Sequence, residues 1–451
     1  MTTAEHYKTN LRIALPVMIG QLGHIMVSVA DSIMVGQLGT FPLAAVAFGN
    51  SIYVIFMVFG IGITYGITPL VAQAAGKGHT LLQSTLLRHS LRINLLSAIL
   101  LFGAILATLP FLGMMSQEEG LLPLTAPYLL ILGSSIIPLM VFQAFKQFAE
   151  GLSDTQEAMK AILGCNLINI ILNYLLIYGN FGFPELGING AAWATFIARF
   201  LMVVWMGWYV LKSKKFKSKG LHLGGFKLRK RIARKLIQLG VPMGLQYIFE
   251  VSAFAIAAIF VGTISAVALA AHQIAINIAS VSYMAVTGLG AAATVRIGNQ
   301  LGAKDGRNLK IASLTIFQLA AVWMTFTGMV IYLYRYQLAS FYSTDPEVIE
   351  IASTMLIVAV LFQLSDGIQA VALGALRGLT DVKIPTWITF LVYWLLVLPA
   401  SYFLPKITDW GALGIWYALA VGLTISAFLL TYRFRRMVIK LTLKWSCAHL
   451  K

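Results

Sequence analysis

Apolar runs of about 18 residues or more recur from end to end of the chain, each long enough to cross a bilayer as a helix. Short polar or basic stretches separate them. Twelve spans are predicted, at 12–37, 42–74, 93–115, 121–148, 158–180, 187–211, 236–262, 266–298, 310–334, 347–376, 384–405 and 411–433. The pattern describes an all-α polytopic membrane protein, not a soluble domain with an anchor. Within the first span, Gln21, His24, Ser28 and Asp31 fall at i, i+3, i+7 and i+10, one polar stripe on an apolar rod. An ionised Asp near the middle of a membrane helix costs about 2.5–3.5 kcal/mol, and such residues face a bundle interior or a water-filled cavity. Asp31 is therefore either a structural carboxylate bonded to a neighbouring helix or a site for a proton or small cation.

The spans repeat. A shift of 226 residues places Pro16 on Pro242, Val35-Gly36 on Val261-Gly262, Leu43-Ala44-Ala45 on Leu269-Ala270-Ala271, Gly62 on Gly288 and Gly76 on Gly302. One further residue of shift aligns Gly151-Leu152 with Gly378-Leu379, Asp154 with Asp381 and Gly187-Ile188 with Gly414-Ile415. Six spans per repeat is an even number, so the halves run parallel, related by an axis along the membrane normal. Two six-helix lobes are expected, residues 1–222 and 223–451, with the cavity between them. Pro69, Pro138 and Pro399 lie inside spans, where bends are expected.

Composition changes the picture only through charge. The chain is 59% hydrophobic and 11% charged, with a net charge of +17 that would suggest nucleic acid in a soluble protein. The distribution argues otherwise. All but three of the 33 Lys and Arg lie at the termini, in the even-numbered connections or at their span ends, the exceptions being Arg199, Arg335 and Lys406. That asymmetry predicts cytoplasmic termini. The largest basic block, Lys212 to Lys235, becomes a cytoplasmic loop against lipid headgroups, with no nucleic-acid role. The opening MTTAEHYKTN is polar and does not read as a cleavable signal. Cys165 and Cys447 form neither a disulfide framework nor a metal cluster.

Three acids sit well inside spans: Asp31, Glu250 and Asp366. The repeat does not pair them, since Asp31 falls opposite Ala257, Glu250 opposite His24 and Asp366 opposite Leu139. A shared scaffold with unshared acids is what is expected if chemistry was added to each lobe separately. In the fifth span, Asn166, Asn169 and Asn173 form one stripe. Asn173 lies roughly 10 Å from the outer end of its helix, Asp31 at a similar depth and Thr195 in the sixth span roughly 12 Å in. Oxygen ligands with one negative charge suit a small monovalent cation such as Na+ at Asp31, Asn169 and Asn173, or a proton on the carboxylate. Interhelical hydrogen bonding without an ion is the alternative. In the second lobe, Gln246 and Gln363 each lie beside an acid, and the eighth span adds His272, Gln273, Asn277 and Ser280. Tyr247, Phe249, Tyr283 and Phe362 would suit an organic cation through cation–π contact, although aromatics at helical spacing more often serve packing. Arg199 either pairs with an acid or snorkels.

No phosphate loop, H-E-x-x-H, G-x-S-x-G or Cys/His cluster is present, so neither an ATP-driven pump nor an enzyme is indicated. The segments ALPVMIGQL, ADSIMVGQLG, EGLSDT after the fourth span, PMGLQYIFE and LRGLTD after the tenth together resemble the multidrug and toxic compound extrusion (MATE) family, NorM type, over nearly the whole chain. The resemblance implies a V-shaped pair of lobes around a central cleft, exchanging organic cations for sodium or protons in a bacterial inner membrane, as a monomer and without a cofactor. It implies that Asp31, Asn169, Asn173, Thr195, Glu250 and Asp366 hold the coupling cation. Gln21, His24, Gln246, Tyr247, Gln273, Asn277, Tyr283, Phe362 and Gln363 are candidates for the substrate cleft. A flippase for lipid-linked oligosaccharides of related architecture and a passive channel are the rival expectations. The first would need a basic cavity, and Arg199 is the one basic residue well inside a span.

Overall fold

The computed structural model describes residues 1–115, 119–213, 216 and 229–449. Most of the basic block 212–235, and the Cys447 side chain, lie outside what is described. Among the described residues the secondary structure is helical without strands, and twelve helices are long and apolar enough to cross a membrane. The first six are α1 Thr3–Gly36, α2 Thr40–Gly76, α3 Thr80–Met114, α4 Leu122–Gly151, α5 Gln156–Tyr178 and α6 Ile188–Lys212. The second six are α7 Lys230–Gly262, α8 Ala266–Ala303, α9 Gly306–Ser340, α10 Pro346–Gly378, α11 Lys383–Ile407 and α12 Ala412–Trp445.

Each predicted span falls on one helix, and several helices outrun their apolar stretch. α1 starts at Thr3 and α3 at Thr80, about nine and thirteen residues earlier than hydropathy indicates. The added turns are polar yet held by protein: His6 and Asn10 are fully buried, as are Gln83, Ser84, His89 and Ser90 to within 3% exposure. Hydropathy registers what faces hydrocarbon, and these turns face other helices.

The prolines act upstream of themselves. A proline lacks the N–H that its helix needs and crowds the carbonyl four residues earlier. Before Pro69 the helix tightens to a 3-10 turn over Tyr65–Ile67, and before Pro138 it breaks at Ser135, whose hydroxyl donates to Leu132 O at 2.5 Å. Before Pro399 it widens to a π-helix over Leu391–Val397.

Packing divides the chain into two compact units, Ile19–Gly244 and Met1–Met18 with Leu245–Lys451. The divisions fall inside α1 and α7. In the first unit, the α7 residues up to Gly244 cross α2 so closely that a Cβ on Gly62 would lie 2.4 Å from Gly244 Cα. In the second unit, the start of α1 crosses α8, where a Cβ on Gly288 would lie 2.8 Å from Met18 N. These are the same repeat positions. The connections repeat as well: Gly78 and Lys304 share a left-handed backbone (φ 72 and 58), as do Ser153 and Thr380 (φ 62 and 59).

Polar contacts fix the start of α1 in the second unit. Arg296 of α8 donates to Asn10 Oδ1 at 3.1 Å and to His6 Nδ1 at 2.8 Å, leaving His6 Nε2 to donate to Asn308 Oδ1 at 2.9 Å. Asn10 also donates to Thr315 Oγ1 at 2.9 Å. The apolar core of the second unit gathers around Trp416, Tyr393 and Leu356, that of the first around Tyr53, Met140 and Ile105.

Candidate functional site: two separate carboxylate sites

The first site lies in the Ile19–Gly244 unit. Helical spacing on α5 stacks Asn166, Asn169 and Asn173 on the face toward α1, all at most 7% exposed. Asn173 Nδ2 donates to Asp31 Oδ1 at 2.5 Å. With its amide nitrogen turned to the carboxylate, Asn169 donates to the same oxygen at 3.0 Å and accepts from the Thr195 backbone N–H at 3.2 Å. The Thr195 hydroxyl instead donates to Ala191 O at 3.0 Å. α6 therefore contributes its backbone to the site, where the sequence pointed to a side chain. Asn166 donates to Gly23 O at 3.0 Å and fastens α5 to α1 below the carboxylate.

One atom of this group is left over. Asn173 Oδ1 is buried and has no hydrogen-bond partner among the described residues. A buried acceptor without a donor costs about 1–3 kcal/mol, so Asn173 Oδ1 is an oxygen left available to a bound group.

Arg199, one turn along α6 from Thr195, takes neither of its two expected arrangements. Its Nη1 donates to Ser135 Oγ at 2.5 Å and to the Tyr53 hydroxyl, with the guanidinium 5.3 Å from the Tyr53 ring centroid. The break before Pro138 is what exposes the Ser135 hydroxyl to α6. Arg199 lies near enough to Asp31 and His24 to act on their charges. Gln21 and His24 occupy the same half-buried face of α1.

The second site lies in the other unit. Glu250 of α7 is 8% exposed, and its Oε1 accepts from Tyr283 OH at 3.3 Å and from Gln369 Nε2 at 3.2 Å. Gln369 Nε2 also donates to Tyr393 OH at 3.0 Å. Asp366 is half-buried and lies within charge range of Glu250. Gln246 and Tyr247 are brought together by a residue the sequence did not single out. Arg377 donates to Gln246 Oε1 and to Tyr247 OH, each at 3.3 Å, and stacks 5.1 Å from the Tyr247 ring centroid.

The remaining candidates separate by exposure. Gln273 and Asn277 are exposed on α8 and bonded to each other at 3.3 Å. Phe362 is buried in the core and stacked on Trp416 at 6.0 Å, while Gln363 is buried with both amide atoms unpartnered among the described residues. Gln369 could have been found from its i+3 spacing to Asp366. Tyr393 could not, because it sits in the π-helical segment, where α-helical periodicity misplaces side chains.

A doubled twelve-helix membrane protein with carboxylate sites set inside its helical units has the architecture of a membrane transporter. The family model described as MatE matches the chain twice, over residues 16–175 and 242–403, one match per repeat. The chain belongs to the MatE family. It is 34% identical to the multidrug resistance protein NorM of Photobacterium profundum and 33% identical to the multidrug resistance protein MdtK of Yersinia pestis, in each case over 94% of both chains. Its fold is similar to that of the Vibrio cholerae MATE transporter VcmN (TM-score 0.87, 20% identity, 97% of this chain and 98% of that one). It is similar also to an outward-facing multidrug resistance MATE transporter (TM-score 0.86, 19% identity, 97% and 96%).

Proposed function

We propose that the chain is a multidrug antiporter that extrudes amphipathic organic cations in exchange for sodium ions or protons. The observation that carries the proposal is the Asp31 site, a carboxylate held by two asparagine amides with the buried Asn173 Oδ1 unpartnered beside it. The names of the NorM and MdtK relatives supply the drug-export half of the reading. In this scheme the coupling cation binds at Asp31, with Glu250 and Asp366 as a second charged site open to cation or drug. Ion and drug favour opposite orientations of the transporter, so each displaces the other across the membrane. A potential of about 100 mV supplies about 2.3 kcal/mol per charge, close to a fifty-fold concentration ratio. The chain would work as a monomer in a bacterial inner membrane, with both termini in the cytoplasm.

The test is dye efflux from reconstituted vesicles under separately imposed sodium and pH gradients. Ethidium should leave against its gradient when one of the two is imposed, and Asp31→Asn should abolish the driven component while the protein stays in the membrane. Driven efflux that persists in Asp31→Asn would refute the proposal.

A further inference from the structure

The first unit contains a buried ion pair that neither carboxylate site uses. On the last turns of α4, Gln143, Lys146, Gln147 and Glu150 share one face and are each at most 5% exposed. Lys146 Nζ lies 3.8 Å from Glu150 Oε1. Among the described residues Gln143 Oε1, Gln147 Nε2 and Glu150 Oε1 are buried without a partner at hydrogen-bond geometry, although Lys146 and Gln147 both lie near enough to act on the Glu150 carboxylate.

The repeat shows that the fold does not require them. In the first unit, Thr68 of α2 donates to Gln147 O at 3.4 Å and to its Oε1 at 2.6 Å. In the second, the equivalent Thr294 of α8 donates to Gly374 O at 2.9 Å. The helix crossing is the same, yet Gln143, Lys146 and Gln147 are replaced by Ala370, Leu373 and Gly374, and Glu150 by Arg377. A buried ion pair is often no more stabilising than apolar residues of similar volume, so its presence in one repeat alone points to a task.

We propose that Lys146 and Glu150 form a second proton-holding site in this unit, on the way between Asp31 and the side of the membrane where α4 ends. Glu150 Oε1 takes up one proton, the carboxylate becoming a neutral acid beside the Lys146 ammonium, and returns it on release. This inference rests on the antiport reading and commits it to protons. The charges are consistent with it. Asp31 and Glu150 balance Lys146 and Arg199, so one added proton gives the same net charge at either acid. His24 stands two turns along α1 from Asp31, about 10 Å, and within charge range of Lys146. Lys146 is the charged group that acts on Glu150; among the described residues, α2 brings Thr68 to this face, and α3 and α6 bring no ionisable group that acts on it.

The experiment compares wild type, Glu150→Gln, Glu150→Asp and the double variant Lys146→Leu/Glu150→Leu in vesicles under a pH gradient. Protons released per drug bound are counted on the same proteins in weakly buffered detergent solution. Glu150→Gln and the double variant are expected to bind drug normally, lose at least tenfold in pH-driven efflux and release fewer protons, with Glu150→Asp restoring part of both. Wild-type efflux and proton counts in Glu150→Gln would overturn the proposal, whether or not the double variant folds. Wild-type efflux driven by sodium alone would overturn it and leave the antiporter standing. No driven efflux under either gradient would remove both.

Discussion

Gly62 and Gly244 cross backbone to backbone: a Cβ on Gly62 would stand 2.4 Å from Gly244 Cα and 2.6 Å from its nitrogen. The position 226 residues after Gly62, Gly288, meets Met18 in the same way. Small residues let membrane helices approach where dispersion contacts, not hydrophobic expulsion, hold them together. The conserved offset means that one crossing was duplicated with the chain and kept in both units.

Gly62→Ala and Gly288→Ala should therefore each destabilise the protein by about 1–3 kcal/mol, because the methyl meets backbone that cannot rotate away. Gly103 is the control. Nothing lies within 4 Å of a Cβ there, so Gly103→Ala should be neutral or slightly stabilising. Thermal unfolding of the detergent-solubilised variants separates the two outcomes, and equal melting temperatures for all three would contradict the close crossing.

At the first carboxylate site the roles of the three asparagines differ, and substitution should separate them. Asn173→Ala removes both the donor to Asp31 and the unpartnered oxygen, so the concentration of coupling cation giving half-maximal efflux should rise about tenfold or more. Asn166→Ala removes only the clasp on Gly23 O and should lower stability while leaving that concentration unchanged. A titration of driven dye efflux against cation concentration reads both.

Most of the architecture was legible because a helix in hydrocarbon announces itself by length and apolarity, and because the duplication repeats glycines at a fixed offset. What stayed hidden was polar structure in places that hydropathy assigns to loops. Glu150 lies just past the apolar run of the fourth span, yet it is 2% exposed, because α4 continues into the protein. The Asp31–Asn169–Asn173 group was readable from stripe and depth alone. The Thr195 contact was not, since a backbone N–H leaves no mark in sequence. Arg377 lies at the end of the tenth span, where a basic residue is expected for lipid contact, and nothing in the pattern says that it turns back to Gln246 and Tyr247.

Arg199 joins two partners that one ammonium cannot serve in the same geometry. Its guanidinium bonds Ser135 Oγ and Tyr53 OH and lies 5.3 Å from the Tyr53 ring centroid. Arg199→Lys keeps the charge and loses the fork and the stacking, so a loss of about 1–2 kcal/mol in stability is expected. Tyr53→Phe, which keeps the ring and drops one acceptor, should cost less. Denaturation midpoints in detergent that rank the two variants the other way would reject this account of how the arginine is held.

The last prediction concerns pH and a group outside the spans. Asp305, in the turn between α8 and α9, caps α9: its Oδ1 accepts from the Asn308 backbone N–H at 2.9 Å and its Oδ2 from Asn308 Nδ2 at 2.6 Å. The Asn308 N–H, more than any other neighbour, holds the carboxyl below its ordinary range. A carboxyl lowered in the folded state stabilises the fold when ionised. That contribution is complete above the unfolded value of about 3.9 and is lost as pH falls through the lower folded one. Asn308 in turn accepts from His6 Nε2 at 2.9 Å, so the cap also positions the partner of the first turns of α1. Asp305→Ala should cost about 1 kcal/mol at neutral pH, as loss of a helix cap does. The gap between wild type and variant should close as the pH of the melt is lowered from about 4 toward 2, where wild type loses the same interaction. A gap that stays constant across that range would show that the carboxyl is not ionised in the cap.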